Sequence, residues 1–152
     1  MLTYEMLEPK VQKWNIDGFE IITFPVSHNV PNHGIIINCK EENVKFCYCT
    51  DFNNLPKIEG ITHWLFETNY IEGFIDDLID NDKDLRHLGF NNHCSAEFAV
   101  NYFKKLSKRP ELIMCCHLSS SNAMKNKILK LISPLADKVM IAEKGAIYGS
   151  RQ

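Results

Sequence analysis

Val44-Lys45-Phe46-Cys47-Tyr48-Cys49-Thr50-Asp51 is the stretch around which the chain is organised. It reads as a short, largely apolar β-strand that ends on a carboxylate. Alternation places Cys47, Cys49 and Asp51 on one face, and Phe46, Tyr48 and Thr50 on the other. A carboxylate at the end of a buried strand is costly unless something pairs with it. Two further apolar runs end on histidine: residues 19–27 lead to His28, and Leu112-Ile113-Met114-Cys115-Cys116 leads to His117. A His, Asp, His set at strand ends is the pattern of half a metal site. The other half is not found in this sequence.

The 152 residues have the length of one domain, taken here as 1–152. Apolar residues make up 45% and charged residues 24%, an ordinary balance for a globular protein. The net charge of −2 gives no bulk attraction to nucleic acid or membrane. Apolar runs fall short of a membrane span, and Glu5, Glu8 and Lys10 interrupt any signal-like opening, so a cytoplasmic location is expected. Without a secretion signal, the six cysteines are expected as buried thiols rather than disulfides. A structural zinc site is the sharper alternative for them, but no C-x-x-C pair is present.

Along the chain, residues 1–17 read as a loop or short strand, with Pro9 excluding a long helix. Residues 19–27 form a strand, 28–34 a Pro- and Gly-punctuated loop, and 35–39 a β-branched strand. A turn at 40–43 leads into the strand that ends at Asp51, giving an antiparallel meander. Residues 62–67 form a further strand and 70–80 a helix, followed by a charged loop over 81–92. A second helix is expected over 95–107, with Ser95 as N-cap, Glu97 in its first turn, and Phe98, Tyr102, Phe103 and Leu106 inward. A third covers 122–135, with Ile128, Leu131, Ile132 and Leu135 in the core. Short strands at 139–142 and 146–148 close the chain. Strands with helices on one side give an α/β (layered α+β) class with a mostly antiparallel or mixed sheet.

Asp51 has two oxygens and can bridge two cations, and His28 and His117 each offer a ring nitrogen. His93, at the mouth of the second helix, is placed to hand a proton to a leaving group. The bland alternatives are a turn-forming aspartate and surface histidines. Glu67 reads equally as a partner behind a metal ligand or as a strand-end cap. His33 is expected in solvent, His63 on a strand surface and Trp64 in a core or interface. His87 is uninformative. The Ser119-Ser120-Ser121-Asn122 run reads as the cap of the third helix, a natural seat for a phosphate.

Over residues 18–148 the chain resembles the second half of the metallo-β-lactamase fold, in its phosphodiesterase and ribonuclease Z-like branch. Five motifs, in order, and a closing hairpin carry the resemblance. Residues 24–34, with His28 and Gly34, resemble the third metal motif. Tyr48-Cys49-Thr50-Asp51 resembles the bridging-aspartate motif. Leu65-Phe66-Glu67-Thr68-Asn69-Tyr70 matches an E-x-N-Y strand end. Asn92-His93-Cys94-Ser95-Ala96 resembles the segment with a proton-transferring histidine, although Asn92 stands in place of glycine. Cys116-His117-Leu118-Ser119 resembles the last histidine motif, and residues 139–148 the closing hairpin.

The resemblance implies half of a four-layer αββα sandwich and a metal-dependent hydrolase, phosphodiesterase-like. Its metal ligands would be His28, Asp51 and His117, and Asp51 and His93 would be the catalytic pair. The implied cofactor is a two-metal zinc site, with manganese or iron as alternatives, left incomplete here because the family's H-x-H-x-D-H motif is absent. The implied partner is the N-terminal half of the fold or a second copy of the chain. A small phosphodiester or nucleic-acid-like substrate is implied, and no membrane. The rival reading is a non-catalytic interaction module that keeps the half-fold.

Overall fold

A computed structural model describes residues 11–73, 93–118 and 122–148. The expected helix over 70–80 lies largely outside the described residues, as do the loop with His87 and the serine run. Seven strands form one sheet in simple sequence order: β1 (Gln12–Ile16), β2 (Phe19–Val26), β3 (Asn32–Cys39), β4 (Val44–Cys49), β5 (His63–Glu67), β6 (Leu112–Cys116) and β7 (Lys138–Ile141). The first four pair antiparallel, as the meander predicts. From β4 onward the pairing is parallel. Parallel strands need crossovers. Helix α1 (Ala96–Lys104) lies between β5 and β6, and α2 (Asn122–Ile132) between β6 and β7.

Register makes the sheet two-faced. Cys47, Trp64 and Ile113 lie side by side in the β4–β5–β6 ladder, as do Cys49, Phe66 and Cys115. All six are fully buried, packed against Ala96, Ala99, Tyr102 and Phe103 of α1 and Ile128 and Ile132 of α2. Trp64, Phe66, Tyr102 and Phe103 meet edge-on or tilted, with centroids 4.8–5.7 Å apart. Such rings add roughly 0.5–1.5 kcal/mol per pair beyond their area. The opposite face carries Ile37, Phe46, Tyr48, Leu65, Met114 and Met140 at the alternate positions, all only half-buried. At its β1–β2 edge Trp14, Ile16 and Phe19 are exposed. Across seven strands, at about 4.8 Å spacing, this apolar face is about 29 Å wide.

Three expectations are corrected. Strand β3 starts at Asn32, so His33 is half-buried in a ladder opposite Pro25 rather than in solvent. Gly34 is there because the Phe24 ring occupies the place of its missing Cβ: a built Cβ would lie 2.2 Å from Phe24 Cζ. Leu131 is 41% exposed, because α2 turns Met124, Ile128 and Ile132 inward and ends there in a 3-10 turn at Ser133–Leu135. The closing hairpin is absent: residues 146–148 form no strand, and Tyr148 Oη instead accepts from Glu143 N at 2.6 Å and donates to the Ile141 carbonyl at 3.3 Å. The Ser95 cap is as expected, accepting from Phe98 N at 3.0 Å.

Candidate metal centre

The parallel strands β4, β5 and β6 end side by side, and carboxyl ends of parallel strands are where open α/β sheets place ligands. Asp51 follows β4, Glu67 ends β5 and His117 follows β6. Asp51 and His117 both have φ of +55°, in the left-handed region, and both sit on the first tight turn out of the strand. Non-glycine residues adopt that region at a cost, so neighbours must hold them. Asn32 Nδ2 donates to the carbonyls of Thr50 and Asp51, each at 2.8 Å. Asn69 Nδ2 donates to the His117 carbonyl at 2.8 Å. Ala96 N donates to the Tyr70 carbonyl, tying the start of α1 to the segment after β5 that carries Asn69.

Glu67 is the centre of this arrangement. It is fully buried. Its Oε2 accepts from Asp51 N at 2.7 Å and, more loosely, from Phe52 N at 3.4 Å. Its Oε1 accepts from His93 Nδ1 at 2.8 Å and His117 Nδ1 at 2.9 Å. A carboxylate only accepts, so both imidazoles carry their proton on Nδ1. Each neutral ring therefore keeps its lone pair on Nε2, which is how a ring is prepared to ligate a metal or take a proton. Glu67 positions both histidines and also holds the Asp51 turn.

The site residues named from sequence come together. Asp51, His93 and His117 each offer a ligand atom within 4.8 Å of the others. Asp51 Oδ1 lies 3.8 Å from His93 Nδ1 and 3.7 Å from His117 Nδ1. His28 stands beside them, its ring centroid 6.0 Å from that of His93. His28 Nδ1 is buried with no hydrogen-bond partner. An orphaned imidazole nitrogen beside a carboxylate and two oriented imidazoles fits a divalent cation, and the mixed N and O donors suit zinc, manganese or iron. The geometric group contains His93 in addition to Asp51 and His117, with His28 one ring further out.

No cysteine joins this group among the described residues. Burial raises the Cys116 thiol to about 12, with the charges of Cys115, Glu67 and Asp51 pushing the same way. Burial likewise holds Cys94 well above the usual thiol range. Asn32 and Asn69, which hold the two turns, were not singled out from sequence as holding groups. Asn69 at least sits in the E-x-N-Y segment; Asn32 carries no sequence signal beyond its place in a Pro- and Gly-flanked stretch.

The fold and the site together define a class: this chain has the metallo-β-lactamase fold. No family model and no curated protein sequence matches it. Solved structures do. A metallo-β-lactamase fold protein, YhfI of Bacillus subtilis, superposes with a TM-score of 0.61 at 16% identity, over 90% of this chain and 51% of that one. Yeast PDE1 superposes at 0.62 and 16% identity, over 92% and 48%. Human tRNase Z, short form, superposes at 0.52 and 15% identity, over 86% and 42%. The chain thus spans about half the length of each of these structures.

Proposed function

We propose that this chain carries the metal-binding strand ends of a metal-dependent phosphodiester hydrolase. The observation that supports it best is the Glu67 hub: one buried carboxylate fixes the tautomer of two histidines and the turn of an aspartate at a single point. A structural role alone would not need one carboxylate to hold two imidazoles in the same tautomer. His28, Asp51 and His117 would hold the cation, zinc by preference, and the cation would supply Lewis acidity and an activated water. His93 is assigned proton transfer because it lines a polar cavity of about 250 Å³ with Asn53, Tyr70, Glu72 and Ser95, where a leaving group has room. As the water oxygen bonds to phosphorus and the bond to the leaving oxygen breaks, the proton given up by the water would be taken by His93 Nε2 and passed to the leaving oxygen, while the Nδ1 proton stays in the hydrogen bond to Glu67.

The half-buried apolar sheet face belongs to the same reading. A second sheet packs on such a face at about 10 Å. We infer that this second sheet is the N-terminal half of the fold and that it brings the remaining metal donors. A second copy of the chain is the alternative occupant. The test is hydrolysis of bis(p-nitrophenyl) phosphate with zinc or manganese, by the chain joined to such a half. Activity that disappears in Asp51→Ala and His117→Ala supports the reading. Activity unchanged in both contradicts it. The open face also favours a second reading, a non-catalytic docking module. Tight association with the partner half, with no metal uptake by the complex, would select it.

A further inference from the structure

The cavity beside His93 is built for more than a proton transfer. Its walls come from three places: Asn53 after β4, Tyr70 and Glu72 after β5, and Ser95 and Phe98 at the start of α1. A parallel bridge between Tyr70 and Ser95 brings the last two together, and Ala96 N donates to the Tyr70 carbonyl at 2.8 Å. At about 250 Å³ the cavity falls below the roughly 300–1,000 Å³ of a pocket for a drug-sized molecule. It suits a small alcohol better than a nucleoside.

Its charge has one sign. No lysine or arginine is among its described lining residues. Glu72 Oε1 accepts from Ser95 Oγ at 2.7 Å. Glu72 N donates to Glu97 Oε2 at 3.1 Å, which brings a second carboxylate to the same rim. Among the described residues neither glutamate is in a salt bridge; the lysines and the arginine that pair do so with Glu20, Glu59 and Asp137. Burial raises the Tyr70 hydroxyl above its ordinary value, and the charge of Glu72 is the next largest cause in the same direction. Two rings complete the wall, Tyr70 and Phe98. Phe98 is fixed in place, edge-on to Phe52 with centroids 5.9 Å apart and stacked on Tyr102 at 6.2 Å. A carboxylate beside aromatic rings is the chemistry that receives an organic ammonium. A leaving group with further negative charge would meet repulsion there.

We propose that this cavity is an organic-ammonium subsite: the leaving alcohol of the diester carries a positively charged nitrogen that seats against Glu72, Tyr70 and Phe98. The proposal rests on the hydrolase reading for one thing, the leaving oxygen's place at His93. Water adds its oxygen to phosphorus, the bond from phosphorus to the alcohol oxygen breaks, and that oxygen takes a proton. The products are a phosphomonoester and an ammonium alcohol. The cavity thus sorts small diesters by the charge of the group they release.

The test reads the subsite apart from the chemistry. The purified chain is titrated calorimetrically with choline in EDTA, beside 3,3-dimethylbutan-1-ol, which has the same shape and no charge. Choline is expected to bind about tenfold tighter, the order of a cation–π contact aided by a carboxylate. Glu72→Gln should remove most of that preference and Glu72→Asp should keep part of it, with circular dichroism checking the fold of both. No choline binding, equal binding of the neutral alcohol, or a preference that survives Glu72→Gln overturns the proposal. In the completed fold, choline methyl phosphate should be cleaved faster than 3,3-dimethylbutyl methyl phosphate. Equal cleavage of the two overturns the subsite and leaves the hydrolase reading standing. Glu72-dependent choline binding with no cleavage of either diester removes the hydrolase reading and leaves the subsite standing.

Discussion

Glu67→Gln changes one atom at the centre of the candidate metal site, and its consequences follow from the hydrogen bonds. In the native chain one carboxylate oxygen receives the Asp51 and Phe52 amides and the other receives two imidazole N–H groups. An amide side chain offers one oxygen and one NH2. Turned one way, its NH2 faces the Asp51 amide, donor against donor. Turned the other way, it faces the two Nδ1 atoms and forces the histidines to move their protons to Nε2. Each hydrogen bond to a charged group is worth about 1.5–3 kcal/mol, so loss of one pair costs about 3–6 kcal/mol. That is a large share of a total stability of roughly 5–15 kcal/mol. In urea the midpoint should fall by about 2 M. Zinc affinity should fall about 10- to 100-fold, as it does when a partner behind a metal ligand is lost. Chemical denaturation in EDTA, then zinc titration of the folded variant, measures both. Glu42→Gln, at an exposed carboxylate in the turn between β3 and β4, is the control. A Glu67→Gln chain with an unchanged midpoint and unchanged zinc affinity would refute the hub.

Three other predictions are independent of that one. His93→Ala should slow hydrolysis of a diester with a poor, alkoxide leaving group far more than one that releases p-nitrophenolate, because only the former needs the proton; equal losses would remove the acid role. Gly34→Ala drives a methyl into the Phe24 ring, and overpacking of this kind costs about 1–3 kcal/mol, read as a lowered denaturation midpoint. Burial raises the thiols of Cys115 to about 11 and Cys47 to about 12, so at pH 8 neither should react with iodoacetamide in the folded chain. The sign on stability follows: a thiol raised in the folded state contributes below its unfolded value and loses that contribution as pH climbs through the folded one. Stability should therefore fall from about pH 9 upward, measured by urea midpoints across pH.

The strands were readable where side chains alternate between two environments. Val44–Cys49 shows the pattern fully, because Cys47 and Cys49 meet helices while Phe46 and Tyr48 face the open side. Ser95 was readable as a cap because a hydroxyl before Glu97 and Phe98 has few other uses. His28, Asp51 and His117 were grouped from sequence because each closes an apolar run, and His93 because it opens a helix; the structure brings Asp51, His93 and His117 within reach of one another, with His28 beside His93. What escaped depends on contacts distant in sequence. Glu67 could be read only as one of two alternatives, because it reaches Asp51 and His117 from 16 and 50 positions away. Asn32 reaches Asp51 from 19 positions away. Leu131 misled because a helical stripe is wider than the face that α2 actually buries, and residues 146–148 misled because Tyr148 satisfies the backbone that a strand would have paired. The switch from antiparallel to parallel pairing at β4 leaves no mark in the sequence of β4 itself.

The most direct test of the central claim is zinc binding by the purified chain at neutral pH, by calorimetry and metal analysis, beside Asp51→Ala and His117→Ala. The account predicts saturable uptake at one place, weak because three or four donors from half a fold hold it, and abolished in both variants. Zinc uptake of the same strength and stoichiometry in the two variants, or none in the native chain alone and none after the second sheet is supplied, would contradict it.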